Sequence, residues 1–425
     1  MRRPLLIVFC LLLCISFILT MNENNTYNKE ENISIYEVVK YKIEKEKYTD
    51  YIVGDYLIRS YSKFKELPIG YNVKIYGKLK NLNNLKYDDF NYGKYLKSCG
   101  YKGLVYLNKY EILSKNNFYY ILGNIKKNIS NTVSYLYKDK SEFLNSILIG
   151  EKEFIDDETK DVFSKTGVSH ILALSGLHVG ILISIIGFSI GGINRGYKLI
   201  ILSVILCIYE IMVGQNPSII RAVFYSIISN ISVFIFRRSD GISSLSLIGS
   251  FLIINNPYII YNISFQLSFL ATLSIIYFYG YIKNIVKLKI IALTISANIL
   301  TMPIVYLNFK NISLIAIISN TLVVPILSII IYMCISSILI FPISLVLSRI
   351  LVNINIFIID SVNLILEFLY NLNGSYIEFN NSNIFIVIIY YIIVINYMIL
   401  KEIKTVKEQE NGLQGYHQEY EQRRI

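Results

Sequence analysis

Residues 168–182 read VSHILALSGLHVGIL. A frame of Ile, Leu and Val holds two of the chain's three histidines, His170 and His178, together with Ser175, Gly176 and Gly180. The run is too apolar for the surface of a soluble domain. It reads as part of a membrane helix that keeps a polar side, which in a bilayer faces protein or water and not lipid. Three chemistries fit such a stretch: a catalytic pair, a metal site, or the lining of a polar passage.

Ser175 and His178 stand three apart, so on a helix they are neighbours, as a nucleophile and its base would be. Position 173 is alanine, however, so the glycine of a G-x-S-x-G elbow is missing, and no third residue is placed to orient the histidine. His170 and His178 are eight residues apart, about 12 Å along a continuous helix, and one ion cannot bridge them. The third histidine, His417, lies in the C-terminal tail. The sequence therefore predicts no catalytic group, no metal site and no cofactor. Ser169, Ala173, Gly176, Gly180, Ser184, Gly187 and Gly191 recur at spacings of three and four. They predict one smooth helix face for close packing, with Ser175 and His178 on the opposite face.

Outward from this stretch the chain stays apolar: 54% of 425 residues are hydrophobic and the mean hydropathy is +0.48. The expected fold is an α-helical polytopic membrane protein with an N-terminal anchor helix and a small extracytoplasmic β domain. Spans are predicted near 169–193, 199–214, 219–236, 242–254, 259–282, 290–307, 312–340, 343–370 and 384–400. The stretch 242–254 is short for a span. The stretch 312–340 is long and holds Pro325, which predicts a broken or re-entrant path. Arg2 and Arg3 precede an uncharged run to Met21, read as a retained anchor (1–21). Residues 22–131 alternate in strand fashion between glycines, as in EVVKYKIEK and NVKIYGKLK, which suggests a small barrel with an OB-like barrel as one option. Residues 132–168 read as amphipathic interfacial helices, one ending at Gly150 and a second running from Asp156 to Gly167. Residues 169–400 form the polytopic part, and 401–425 a polar, disordered cytoplasmic tail.

Charge supports this topology. Arg195 with Lys198, Arg237 with Arg238, Lys283 with Lys287 and Lys289, and Lys401 with Lys404 and Lys407 all fall on the side of Arg2 and Arg3. That is the cytoplasmic side by the positive-inside rule. A net charge of +11 suits anionic partners such as lipid headgroups or nucleic acid. Five cysteines, without a C-x-x-C pair, give neither a disulfide framework nor a metal site.

Other polar groups interrupt the spans. Glu210 and Arg221 flank the turn QNPSII and are expected to pair across it. Asn353, Asp360 and Glu367 repeat every seven residues, with Asn363 beside them, and predict a polar stripe on one helix. Gln266, Ser268, Asn298 and Asn320 add uncharged polar groups. Each alone is explained by local packing; together they predict an internal polar cavity.

Four blocks then match a known pattern in order: GEKEFIDDETKDVFSKTGVSHILALSGLHVGIL (150–182), NPSIIRAVF (216–224), NPYIIYNISFQLSFLATLSII (256–276) and MPIVYLNFKNISLIAIISNTLVVPI (302–326). On these residues the chain resembles the ComEC competence family, membrane proteins that carry single-stranded DNA into bacteria. The stretch FNYGKYLKSCGYKGLVYL (90–107) resembles that family's outer OB-like domain. By this resemblance His170, Ser175, Gly176, His178, Gly180, Pro217, Ser218, Arg221, Gln266 and Ser268 occupy motif positions. The resemblance implies a multi-pass protein of the bacterial cytoplasmic membrane. Longer family members carry a metallo-β-lactamase-like domain whose His-x-His-x-Asp-His signature is absent here, so a separate nuclease is expected.

The functional expectation is a channel component for single-stranded DNA and not an enzyme. The outer domain would hold the strand through Lys63, Lys65, Lys74, Lys78 and Lys80, with Tyr71 and Tyr76 stacking on bases. No Walker A pattern occurs, so energy would come from a separate ATPase or the membrane potential. A separate DNA receptor and a homo-oligomer complete the expected partners. The alternatives are a secondary transporter of a small solute, using Glu210, Asp360 and Glu367, and a membrane scaffold without transport.

Overall fold

The computed structural model describes residues 3–21, 31–61, 66–87, 90–214, 216–236 and 240–422. Helix α1 (Pro4–Met21) leads into a barrel made of β1 (Glu31–Glu44), β2 (Thr49–Val53), β3 (Tyr56–Ser60), β4 (Tyr71–Lys80) and β7 (Gly103–Lys115). The barrel closes in the order β1-β2-β3-β7-β4, with β3 and β7 parallel and the other pairs antiparallel. Alternation of side chains sends Val39, Val53, Ile58, Val73, Ile75 and Val105 inward, each fully buried. This five-strand barrel is consistent with the OB-like expectation. A two-residue pair, β5 (Lys86–Tyr87) and β6 (Phe90–Asn91), and helix α2 (Tyr92–Ser98) are inserted between β4 and β7.

Two helices follow the barrel, α3 (Asn117–Tyr137) and α4 (Ser141–Ile149), the second ending on Gly150 at φ 79°, a left-handed cap. Tyr137 shares a hydrogen bond with Ser337 (2.9 Å) and accepts one from Asn355 Nδ2 (3.1 Å), which also donates to the carbonyl of Ile330 (3.1 Å). The α3–α4 hairpin thus reaches the middle of two later helices. Helix α5 (Asp157–Lys165) begins where the capping chemistry predicts, with the Asp156 carboxylate accepting from the Thr159 N–H.

The remaining helices are α6 (Ser169–Leu172), α7 (Gly176–Ser189), α8 (Arg195–Val213), α9 (Pro217–Phe234), α10 (Gly241–Asn255), α11 (Ile263–Ile285), α12 (Lys289–Phe309), α13 (Ala316–Ile340), α14 (Leu345–Tyr370) and α15 (Ile384–Gln422), with a small pair β8 (Asn311–Ser313) and β9 (Tyr376–Glu378). Among the described residues eight helices are long and apolar enough to cross a membrane: α1, α8, α9, α11, α12, α13, α14 and the 384–403 part of α15. The protein is a multi-pass membrane protein.

Two expectations about continuity change. Helix α13 runs unbroken through Pro325, as membrane helices tolerate a proline where neighbouring helices and Ser or Thr side chains re-satisfy the freed backbone. The tail is not disordered up to Gln422 but extends α15; its Glu, Lys and Gln content without proline favours helix.

Contacts sort the two ends of the bundle. At one end Arg3 meets Asp240 (3.5 Å) and Glu402 (3.5 Å), and Lys401 lies 3.1 Å above the Tyr281 ring. The barrel is docked at the other. There Asn256 donates to the carbonyls of Lys97 (2.9 Å) and Ser98 (3.2 Å), Lys94 lies 3.3 Å above the Tyr261 ring, and Tyr41 donates to the carbonyl of Ile211. Helix α1 spans between them, with Ser16 donating to the carbonyl of Pro257 (2.5 Å) and Thr20 meeting Tyr261 (2.9 Å).

Candidate functional site: a capped half-helix beside Arg221

The stretch 168–182 is not one helix. Residue Ala173 is extended (φ −91°, ψ 133°), and Ser175 is extended again (φ −130°, ψ 174°) before α7 begins at Gly176. Ser-Gly at this position supplies a side-chain cap and a residue without Cβ, so the sequence starts a helix there and does not continue one. Helix α7 has 14 residues, about 21 Å, against about 28 Å for the 19-residue α8. It is shorter than a core of about 30 Å, and its N-terminus packs against α9, where Arg221 and Ala222 lie nearest Gly176.

That terminus is closed by its own side chains. The Ser175 hydroxyl accepts from the Leu177 N–H (3.3 Å), and the Ser175 N–H donates to His178 Nδ1 (3.0 Å). This is a capping box with histidine in place of the usual Glu or Gln. The neighbouring Ser175–His178 contact (3.1 Å) belongs to that cap. With Nδ1 accepting, the ring proton is assigned to Nε2. Nε2 is buried without a hydrogen-bond partner in a residue that is 2% exposed.

Arg221, one turn into α9, lies over the same terminus. A Cβ on Gly176 would stand 3.2 Å from its Nη2, so glycine is what lets the guanidinium approach α7 so closely. Nη1 donates to Thr272 Oγ1 on α11, which in turn donates to the carbonyl of Ser268 (2.9 Å). Ser218 Oγ donates to Ser268 Oγ (3.0 Å), and Pro217 sits at the first position of α9 behind the Asn216 cap. Three helices, α7, α9 and α11, therefore meet at Gly176, Ser218, Arg221, Ser268 and Thr272. Thr272 carries no signal in the sequence beyond its spacing of four from Ser268. Arg221 Nε is buried without a partner, and among the described residues no carboxylate lies within ion-pair distance of this guanidinium. A cation beside the positive end of a helix is unfavourable to both. An anion placed between them would be stabilised by both.

Other expected site residues fall elsewhere. Glu210 does not pair with Arg221: it lies near Tyr41 and Tyr119, whose phenols are raised in pKa chiefly by burial, with Tyr119 and then this carboxylate adding to the shift at Tyr41 and the carboxylate adding to it at Tyr119. The cause is rotational, since Arg221 turns toward α7 and α11 while the end of α8 turns toward the barrel. The small face of α7 is not a packing stripe: Gly180 is exposed with nothing near its missing Cβ, and Gly187 and Gly191 meet only Lys198 and their own helix turn. Ser169 and Ala173 precede the break and so leave that face. His170 is exposed on α6, and Gln266 donates to the carbonyl of Ile260 (2.7 Å).

On α14 the heptad stripe faces outward, not inward. Asn353 and Glu367 are exposed, and Asp360 is held by Lys140 at 2.6 Å. The buried polar residues of that helix are Ser348 and Asn355, both of which the heptad spacing passes over. Asn320 is 7% exposed with Oδ1 lacking a partner, and Asn298 is half-buried on α12, both away from the Arg221 cluster.

On the barrel, strand alternation puts Lys74, Tyr76, Lys78 and Lys80 on the outer face of β4. Asn32, Ser34, Tyr76 and Asn108 border a groove of about 330 Å³ there. Tyr71 is turned the other way, against the barrel core and edge-on to Tyr120 (5.9 Å). Lys63 and Lys65 lie outside the described residues. Among the described residues no group of three His, Cys, Asp or Glu side chains is placed to hold a metal ion.

Comparison with known proteins completes the picture. ComE operon protein 3 of Bacillus subtilis (strain 168) is 32% identical over 215 residues, 49% of this chain and 28% of that protein. An uncharacterized protein of Aquifex aeolicus (strain VF5) is 33% identical over 159 residues, 36% of this chain and 38% of its own. The chain thus spans well under half the length of either relative. No solved structure matches. The family described as Competence protein matches residues 147–404, which include every residue of the Arg221 cluster. The chain belongs to this Competence protein family.

Proposed function

We propose that the protein is a cytoplasmic-membrane component of DNA uptake, and that a single strand passes the N-terminus of α7, where Arg221 meets its phosphates. The observation that carries this reading is a half-buried guanidinium that, among the described residues, has no carboxylate partner and is set against the N-terminus of α7. Stability alone disfavours such a charge, whereas a passing polyanion needs it. The barrel sits at the end where a strand would enter. In this reading the described residues pass the strand without chemistry of their own, and energy comes from a separate ATPase or from the membrane potential. The family match and the likeness to ComE operon protein 3 support uptake of DNA over other cargo.

The solute-transporter reading requires Glu210, Asp360 and Glu367 to converge. They do not: one faces the barrel, one is paired with Lys140, and one shares an exposed face with Leu364 and Phe368. The test is uptake of end-labelled DNA in a strain deleted for this chain. Label should remain outside the cytoplasm and return inside on complementation. Equal cytoplasmic label without the chain would overturn the reading.

A further inference from the structure

The barrel carries a second feature that the lysines of β4 do not explain. Tyr48, Tyr61 and Tyr106 form a row: Tyr48 and Tyr61 rings are 5.7 Å apart, and Tyr61 and Tyr106 are 5.9 Å apart and stacked at 20°. An ammonium group brackets each end, Lys45 at 5.2 Å from the Tyr48 ring and Lys80 at 5.8 Å from the Tyr106 ring.

Strand register builds this row. Thr49 pairs with Ser60, so Tyr48 and Tyr61 flank the open end of the β2–β3 hairpin. On β7, Tyr106 pairs with Arg59 in the parallel ladder, which sets it diagonal to Tyr61. The first ring is held from behind: the Arg59 guanidinium lies 3.9 Å from the Tyr48 ring and is itself locked to Asp50 through two bonds of 2.8 and 3.0 Å. Arg59 and Asp50 are 7% and 2% exposed. Yet Tyr61, the central ring, is 60% exposed. A first ring fixed by a buried ion pair, with an exposed ring packed beside it, is the arrangement of a stacking platform, since aromatic faces accept bases of any sequence and flanking cations accept the backbone.

We propose that the Tyr48–Tyr61–Tyr106 row, bracketed by Lys45 and Lys80, is the surface on which the barrel holds single-stranded nucleic acid; this rests on the uptake reading. The outer lysine face of β4 then guides the strand without stacking it. Barrels of this kind also hold oligosaccharides, but a neutral glycan gains nothing from ammonium groups at both ends of the row.

The test uses the full chain in nanodiscs and a fluorescein-labelled oligothymidylate, read by anisotropy. Tyr61→Ala should weaken binding about 5- to 150-fold. Tyr61→Phe should bind as the parent does, and so should Tyr36→Ala, an equally exposed ring on β1 outside the row. Lys45→Gln with Lys80→Gln should flatten the salt dependence. Unchanged affinity in a folded Tyr61→Ala protein would overturn the assignment. So would displacement of the oligonucleotide by a soluble glycan strand, or a larger loss from Lys78→Gln than from Tyr61→Ala. If the parent chain binds no oligonucleotide, the platform is refuted, while the uptake reading still stands or falls on the deletion strain.

Discussion

Replacing Arg221 with glutamine separates a structural arginine from a working one. The arginine makes one charge-assisted bond, to Thr272, worth about 1.5–3 kcal/mol. Against this stands the burial of a guanidinium with its Nε unsatisfied, about 2.5–3.5 kcal/mol at the centre of a membrane helix and less toward its end. The two terms nearly cancel, so Arg221→Gln should unfold within a few degrees of the parent in a detergent thermal-shift assay, or slightly above it. Transport should behave differently. Losing one phosphate contact of about 1.5–3 kcal/mol lowers transit roughly 10- to 150-fold, read as transformants per microgram of DNA at matched protein level. Arg221→Lys, which keeps the charge without the fork, should fall between. A clear drop in melting temperature together with proportionate loss of transformation would refute the reasoning, because it would make the arginine a rivet between α9 and α11.

Four further outcomes follow from the same geometry. Gly176→Ala places a methyl 3.2 Å from Arg221 Nη2 and should cost little, while Gly176→Val should displace the guanidinium and reduce transformation toward the Arg221→Gln level. His178→Glu restores an ordinary capping box and should melt as the parent does, whereas His178→Ala should lose about 1 kcal/mol; if the buried Nε2–H also serves the strand, neither variant will transform normally. Asp360→Asn breaks a half-exposed ion pair and should change stability by less than about 1 kcal/mol, leaving transformation unaltered; loss of transformation would revive the carboxylate mechanism. The Asp156 carboxyl is held below the usual range, chiefly by the Thr159 N–H. Its contribution is therefore present at neutral pH and is lost only as pH falls below the ordinary aspartate value of about 4, toward the depressed folded value. Exchange protection at the start of α5 should fall across that interval in the parent and not in Asp156→Asn.

Much of the architecture was legible because it depends on local terms. Hydropathy located the long helices, alternation located the strands, and Asp156, Gly150 and Gly167 marked ends through capping and left-handed backbone. What failed depended on which way a helix is rotated. The heptad Asn353, Asp360, Glu367 is a real stripe, but period alone does not say which side of α14 meets the bundle; Asn355, off that stripe, is the residue that α3 and α13 enclose. The same gap misdirected Glu210 and Arg221. Small residues at spacings of three and four implied a single helix, yet Ser175 followed by Gly176 is also a helix start, and that local preference prevailed over the longer pattern.

The motif blocks acquire a mechanical sense once the contacts are joined. Asn256 holds α2 of the barrel, and Asn262, five residues past Pro257, donates to Cys99 (3.7 Å) just beyond α2. Gln266 then bonds back to Ile260 and fixes the turn onto the first coil of α11. Within two further turns the same helix presents Ser268 to Ser218 and Thr272 to Arg221. Each link is a short polar contact at a helix end or inside the bundle, where alternative partners are scarce. The stretch 256–272 therefore fixes the barrel and the Arg221 cluster in one frame. Asn256→Ala should loosen that frame without touching either end: oligonucleotide affinity at the barrel should stay within about twofold of the parent, while transformation falls. A parent-like transformation frequency would show that the barrel and the membrane cluster work without a fixed spacing.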